Sequence, residues 1–127
     1  MYIQAIEEGS KYADTFQDPE YSYIHHMRNG RTGQSKEDAE ALMNNYIDYH
    51  LQKSKCYMAQ GNYYDAYKYL GMAFHPIMDS TSPTHGDFLP WEGVIPLLLS
   101  GMHVAGEATI DDSQIQLTID RMIKILQ

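Results

Sequence analysis

The chain has 127 residues, which is enough for one domain with one hydrophobic core. Its formal net charge is −8, so nothing in the composition suggests a protein that binds the phosphate backbone of a nucleic acid. The single cysteine, Cys56, excludes an intramolecular disulfide and a zinc site built from several cysteines. The sequence has no apolar run as long as a membrane span and no recognisable signal peptide.

The start of the chain predicts one short helix followed by a long irregular segment. Residues 3–8 predict a helical piece that ends at Gly9, and residues 9–34 are rich in turn signals and predict loop. Because the chain begins within a predicted helix, we expect it to be a C-terminal fragment of a longer protein. Residues 1–127 themselves predict a single domain.

Two helices joined by a tight turn follow. Ser35 opens a capping-box pattern and predicts a helix over about residues 36–60, which Gly61 ends. Asn62 predicts the cap of a second helix over about residues 63–79. Both segments carry apolar residues at the spacing of one helix face. They are Ala39, Leu42, Met43, Tyr46 and Ile47 in the first helix, and Ala66, Tyr67, Leu70, Ala73, Phe74 and Ile77 in the second.

The last third of the chain combines an interrupted apolar run with one further helix. Residues 80–89 predict a loop, and residues 90–108 predict a helix from about Trp91 that is irregular near Pro96. Asp111 predicts the cap of a final helix, with Ile115, Ile119, Met122, Ile123 and Leu126 facing inward. Since no segment alternates convincingly at a period of two, the sequence predicts an all-α fold, a compact bundle of four to five helices.

Two pairs of possible metal ligands stand four residues apart on predicted helices. His75 and Asp79 form the first pair, His103 and Glu107 form the second, and His85 lies on the loop between them. Residues at this spacing project from one helix face, so each pair can bind a cation without ordering a loop. Imidazole nitrogen and carboxylate oxygen are the usual zinc ligands where thiolates are absent. The pattern therefore indicates a zinc centre.

Each of these features also has an ordinary structural interpretation. A single histidine and aspartate at this spacing are most often a solvent-exposed pair on a helix surface. His25 and His26 are compatible with ordinary loop positions, and His50 is expected to be packed or solvent-facing rather than a ligand. The combination of two spaced pairs with a further histidine between them favours the metal-binding interpretation.

The order of these residues resembles the zinc-dependent phospholipase C family, whose fold is shared by the single-strand-specific zinc nucleases. The matching text is "YKYLGMAFHPIMDSTSPTH", a helix ending in a spaced histidine–aspartate pair and followed by a Pro-Thr-His loop. "HVAGE" follows on the next predicted helix. Upstream, "GSKYADTFQDPEYSYIHHMRNG" is similar to the family's glycine turn, metal-binding aspartate and metal-binding histidine. Asp14 matches the aspartate, and either His25 or His26 matches the histidine.

The resemblance implies two zinc ions. The first would be held by Asp14, His25 (or His26), His75 and Asp79. The second would be held by His85, His103 and Glu107. Asp79 corresponds to the residue that bridges to a third ion in the family. The other third-ion ligands have no counterpart, because this chain has no histidine before His25.

The resemblance also implies a function, namely hydrolysis of the headgroup phosphoester of a phospholipid. Asp14 would then act as a general base or as a metal ligand. The wording around His25 is similar to toxin domains at the C-termini of bacterial RHS-repeat proteins. This similarity implies a secreted or delivered effector that meets a membrane surface transiently and is neutralised by a cognate immunity protein. A stable complex with nucleic acid is not expected.

Two alternatives stay open on the sequence. One is a single-strand nuclease of the same fold, against which the net negative charge weighs because nucleic-acid grooves are usually basic. The other is a metal-stabilised module that binds a partner and catalyses nothing.

Overall fold

The structure is a computed structural model and describes residues 2–81, 86–91, 120–122, 124 and 126. Helix α1 spans Ile3–Asp14, α2 spans Lys36–Ala59 and α3 spans Tyr63–Ser80. Two 3-10 helices span Pro19–His25 and Gly86–Phe88. Strand β1 spans Arg28–Asn29 and pairs in parallel with β2, which spans Pro90–Trp91. The fold is all-α, as the sequence predicts.

The predicted caps of α2 and α3 are confirmed. The side chain of Ser35 accepts a hydrogen bond from the backbone N–H of Asp38 at 3.1 Å. That of Asn62 accepts one from the N–H of Asp65 at 3.4 Å. Each cap satisfies a backbone donor that has no partner inside its helix. Both predicted ranges agree with the observed helices to within one residue at each end.

The prediction that the first helix ends at Gly9 is wrong, because α1 continues to Asp14. Gly9 is buried at a contact with α3, where a Cβ atom would lie 1.9 Å from the carbonyl oxygen of Lys68. The glycine therefore permits a close approach of two backbones rather than ending a helix. The predicted helix start at Trp91 is also wrong, since this residue lies in β2 and its carbonyl accepts a hydrogen bond from the Gly30 N–H at 2.8 Å.

Helices α2 and α3 form a hairpin around the core. Gly61, with a φ of +76°, makes the left-handed turn between them. The core cluster contains Ile47, Ala73, Phe74 and Ile77, with Ile6, Met43, Leu51, Leu70 and Met122 packed against it. Of the predicted inward-facing residues, Leu42 and Leu126 are instead exposed. The structure places Met122 against the core. Ile115, Ile119 and Ile123 lie outside the described residues.

Helix α1 packs on the opposite side of α3 from this core and runs in the same direction. Gly71 of α3 faces the carbonyl oxygen of Ile6, and a Cβ atom there would lie 2.0 Å from it. One turn further along both helices, Ser10 contacts His75. Because the two backbones touch, short side chains are long enough to meet between them. This packing positions the candidate site.

Candidate metal centre

Four possible metal ligands from three elements converge at the C-terminal end of the contact between α1 and α3. Asp14 is the last residue of α1, His25 is the last residue of the first 3-10 helix, and His75 and Asp79 lie one turn apart on α3. We call these four residues the Asp–His cluster. Three of its ligand atoms, from Asp14, His25 and His75, all lie within 4.8 Å of one another.

The distances inside the Asp–His cluster are short. His25 Nδ1 lies 3.1 Å from His75 Nε2 and 3.1 Å from Asp79 Oδ2, and the last two atoms are 3.0 Å apart. Asp14 Oδ1 lies 4.0 Å from His25 Nδ1 and 3.8 Å from His75 Nε2. Zinc binds nitrogen and oxygen at about 2.0–2.1 Å in a tetrahedron, which places its ligands roughly 3.3 Å apart. The observed separations lie on both sides of this value, so the cluster fits a tetrahedral cation.

The cluster is closed on one side and open on the other. His25 and His75 are buried, at 5% and 6% exposure. The Asp79 side chain is 18% exposed, whereas that of Asp14 is 66% exposed. A cation would therefore be held by rigid, shielded groups on the protein side, and it would meet solvent beside Asp14.

The hydrogen bond of the outer nitrogen orients the His25 ring. His25 Nε2 lies 2.7 Å from the carbonyl oxygen of Phe16, which can only accept, so this nitrogen carries a proton. In the neutral ring, Nδ1 then presents a lone pair to the carboxylate of Asp79 and to His75. Burial lowers the pKa of His25, but the hydrogen bond and charge of Asp79 outweigh it and raise that pKa overall. A proton or a cation between these groups relieves the repulsion of their lone pairs.

Two further residues hold the ligands from outside the cluster. Ser10 Oγ lies 2.9 Å from His75 Nδ1. The Gln17 amide donates to the backbone carbonyl of Asp14 at 2.6 Å and to its Oδ1 at 3.3 Å. Sequence reasoning missed both. Ser10 stands four residues before Asp14, a spacing that signals a shared helix face only if α1 continues past Gly9.

The structure separates the two adjacent histidines. His26 has a left-handed backbone, with φ of 56° and ψ of 38°, and its ring lies over Phe88 with centroids 4.1 Å apart. Its side chain is thus directed away from the position that His25 occupies. Among the described residues, the geometry therefore assigns His25 rather than His26 to the Asp–His cluster. The prediction names both residues, and no measurement of bound metal has yet chosen between them.

Three predicted ligands, His85, His103 and Glu107, lie outside the described residues. His50, predicted to be packed or solvent-facing, lies half-buried among tyrosine rings, and its Nδ1–H donates to the carbonyl of Tyr46 at 2.7 Å. Burial lowers its pKa more than this hydrogen bond raises it.

Searches for similar proteins found no significant match to a protein-family model, to a curated protein or to a solved structure. Within the part of the chain that the structure describes, none of the helices combines the length and the apolar character that crossing a membrane requires.

Proposed function

We propose that this chain is a zinc-dependent phosphodiesterase, most similar to phospholipase C, that hydrolyses the headgroup phosphoester of a phospholipid. The observation that carries the proposal is the convergence of Asp14, His25, His75 and Asp79. These residues are separated by up to 65 positions in the chain. Surface histidine–aspartate pairs do not require such an arrangement, whereas a metal centre does.

The donor set supports zinc over other common cations. Two imidazole nitrogens and two carboxylate oxygens are ligands that zinc accepts readily in a tetrahedron. Calcium and magnesium prefer sites made of oxygen atoms alone, with six or more ligands. The shortest separations, 3.0–3.1 Å, match a small tetrahedral site.

The residues of the chain have distinct roles in this proposal. A bound zinc ion would polarise a phosphoryl oxygen and lower the pKa of a bound water. His25 and His75 would hold the site in position, since they are buried and hydrogen-bonded through their outer nitrogens. The exposed carboxylate of Asp14 is the group that can reach a substrate. It would either complete the ligand set or accept the proton of an attacking water. A second zinc, held by His85, His103 and Glu107, belongs to the same proposal.

The first experiment measures metal and activity in matched histidine variants. The purified protein should contain at least one equivalent of zinc, and it should release phosphocholine from phosphatidylcholine vesicles. His75→Ala should abolish both, while His50→Ala should retain both, because His50 bonds to the Tyr46 carbonyl away from the cluster. A His75→Ala protein that keeps its zinc would refute the central assignment.

A second experiment tests the substrate class. The zinc-loaded protein is incubated in parallel with phosphatidylcholine vesicles and with single-stranded DNA. Cleavage of DNA alone would replace the phospholipase proposal with the nuclease of the same fold. The net charge of −8 leads us to expect cleavage of the lipid.

The closed ligand set also favours a second candidate, a metal-stabilised module without activity. Structural zinc sites have four protein ligands, whereas catalytic sites usually keep one position for water. The four donors of the Asp–His cluster fill a tetrahedron unless Asp14, the exposed one, leaves it. Tight zinc binding without hydrolysis of either substrate would establish this candidate.

The biological setting that we propose is a secreted or delivered bacterial effector of the RHS type, with a cognate immunity protein. Synthesis of the chain inside a bacterial cell should then arrest growth, and synthesis of the His75→Ala variant should not. Equal growth of both cultures, with both proteins present at equal levels, would contradict a toxic role in that cell.

A further inference from the structure

We propose that Ser10 is a positioning residue for His75, which it holds in the tautomer and orientation that zinc binding requires. The inference rests on the zinc site proposed above and assigns a role to a residue outside the ligand set. Its basis is the 2.9 Å contact between Ser10 Oγ and His75 Nδ1.

The direction of this hydrogen bond follows from the opposite side of the imidazole. His75 Nε2 points into the Asp–His cluster, 3.1 Å from His25 Nδ1 and 3.0 Å from Asp79 Oδ2. A neutral imidazole that binds a cation through Nε2 carries its proton on Nδ1. Ser10 Oγ is placed to accept that proton. The hydroxyl thus favours the tautomer whose Nε2 lone pair faces the cation.

The helix packing places Ser10 at this position. Ile6 of α1 lies against Gly71 of α3, and Ser10 and His75 each follow four residues later on their helices. Since the helices run in the same direction, one turn along α1 corresponds to one turn along α3. The short serine side chain can reach the ring only because the glycines bring the two backbones into contact.

The Ser10 contact completes a pattern around both histidines. The outer nitrogen of His25 is bound by a backbone carbonyl, and the outer nitrogen of His75 is bound by a side-chain hydroxyl. Groups that bind metal-ligating histidines in this way commonly change metal affinity by about 10–100-fold when they are removed. The hydroxyl of Ser10 can be removed by mutation, whereas the Phe16 carbonyl cannot.

The test compares Ser10→Ala with Ser10→Thr and with Ser54→Ala. Alanine removes the hydroxyl, and threonine restores it. Ser54 is a matched control, because its buried hydroxyl donates to the Ala66 carbonyl at 2.7 Å between α2 and α3 and does not contact a ligand of the Asp–His cluster. Zinc affinity is measured by competition with a chromophoric chelator, and the His75 tautomer is read from imidazole ¹⁵N shifts.

We expect Ser10→Ala to lower zinc affinity about 10–100-fold and to shift His75 away from the Nδ1–H tautomer, with recovery in Ser10→Thr and no change in Ser54→Ala. Unchanged affinity in Ser10→Ala, or an equal loss in Ser54→Ala, would overturn the proposal. Absence of zinc from the unaltered protein would overturn it together with the proposed function. Zinc bound as expected, without phosphodiesterase activity, would refute only the function.

Discussion

At the scale of single residues, backbone conformation decides which of two adjacent histidines joins the site. His25 ends a 3-10 helix with its ring directed into the Asp–His cluster, and His26 turns left-handed, with a φ of 56°. A left-handed backbone is unusual for a residue with a Cβ atom. It redirects the chain into β1 and brings the His26 ring onto Phe88.

Alanine substitutions at these two positions provide a matched test of the assignment. We expect His25→Ala to lose zinc, because it removes a buried ligand whose Nδ1 lies 3.1 Å from two other ligand atoms. His26→Ala should retain zinc while losing some stability through the Phe88 contact. Zinc content of the purified variants is the measurement, and the reverse result would assign the site to His26.

His50 provides a pH-dependent prediction away from the metal centre. Burial holds its pKa below the ordinary value of 6.5, so the unfolded chain binds this proton more readily than the folded protein does. The neutral ring therefore contributes its full stability above about pH 6.5, and the contribution is lost as the pH falls through the lower, folded pKa.

A variant that cannot titrate at this position isolates the effect. Between about pH 7 and pH 5, the free energy of unfolding of the unaltered protein should decrease relative to that of His50→Phe. Urea unfolding at a series of pH values measures the difference. A constant difference across this range would mean that the pKa of His50 is not lowered by folding.

At the scale of elements, the contact between α1 and α3 depends on two glycines. A Cβ atom at Gly9 or Gly71 would lie within 2.0 Å of a carbonyl oxygen on the facing helix. Backbone atoms cannot move aside as a flexible side chain can, so the helices would have to separate. Separation would move Asp14, on α1, away from His75, on α3.

Gly71→Ala should consequently lower both the stability and the zinc affinity. The expected loss in the free energy of unfolding is about 1–3 kcal/mol, the usual cost of overpacking, even though alanine is the better helix former. Gly33→Ala is the control, since Gly33 has a φ of +67° and open space around it. The control should cost about 1 kcal/mol through backbone strain and leave zinc affinity unchanged. Equal zinc affinity in the two variants would show that the helix contact does not set the site.

At the scale of the whole molecule, the Asp–His cluster joins parts of the chain that only folding brings together. Three of its residues come from different elements, α1, the first 3-10 helix and α3. The unfolded chain cannot assemble these ligands, so the free energy of zinc binding contributes to the stability of the folded state. The Trp91 indole adds a further long-range tie, as its Nε1–H donates to the Gln17 carbonyl at 2.7 Å beside the site.

Removal of zinc should therefore destabilise the whole protein. At a free zinc concentration of about 100 times Kd, the stabilisation is about 2.7 kcal/mol, which an excess of chelator removes. Thermal unfolding with zinc and with chelator measures the difference. The His75→Ala variant should show the same midpoint in both conditions, and a zinc-dependent midpoint in that variant would indicate a different binding site.

The sequence by itself determined the helical class, the bounds and caps of α2 and α3, and the pairing of His75 with Asp79 on one helix face. These features depend on local periodicity and on capping within a few residues, which physical chemistry relates directly to sequence. Only the tertiary structure decided that α1 passes through Gly9, that His25 rather than His26 faces the cluster, and that Ser10 meets His75. Each of these outcomes depends on contacts between residues distant in the chain, because helix–helix packing can override a local stop signal and set the direction of a side chain.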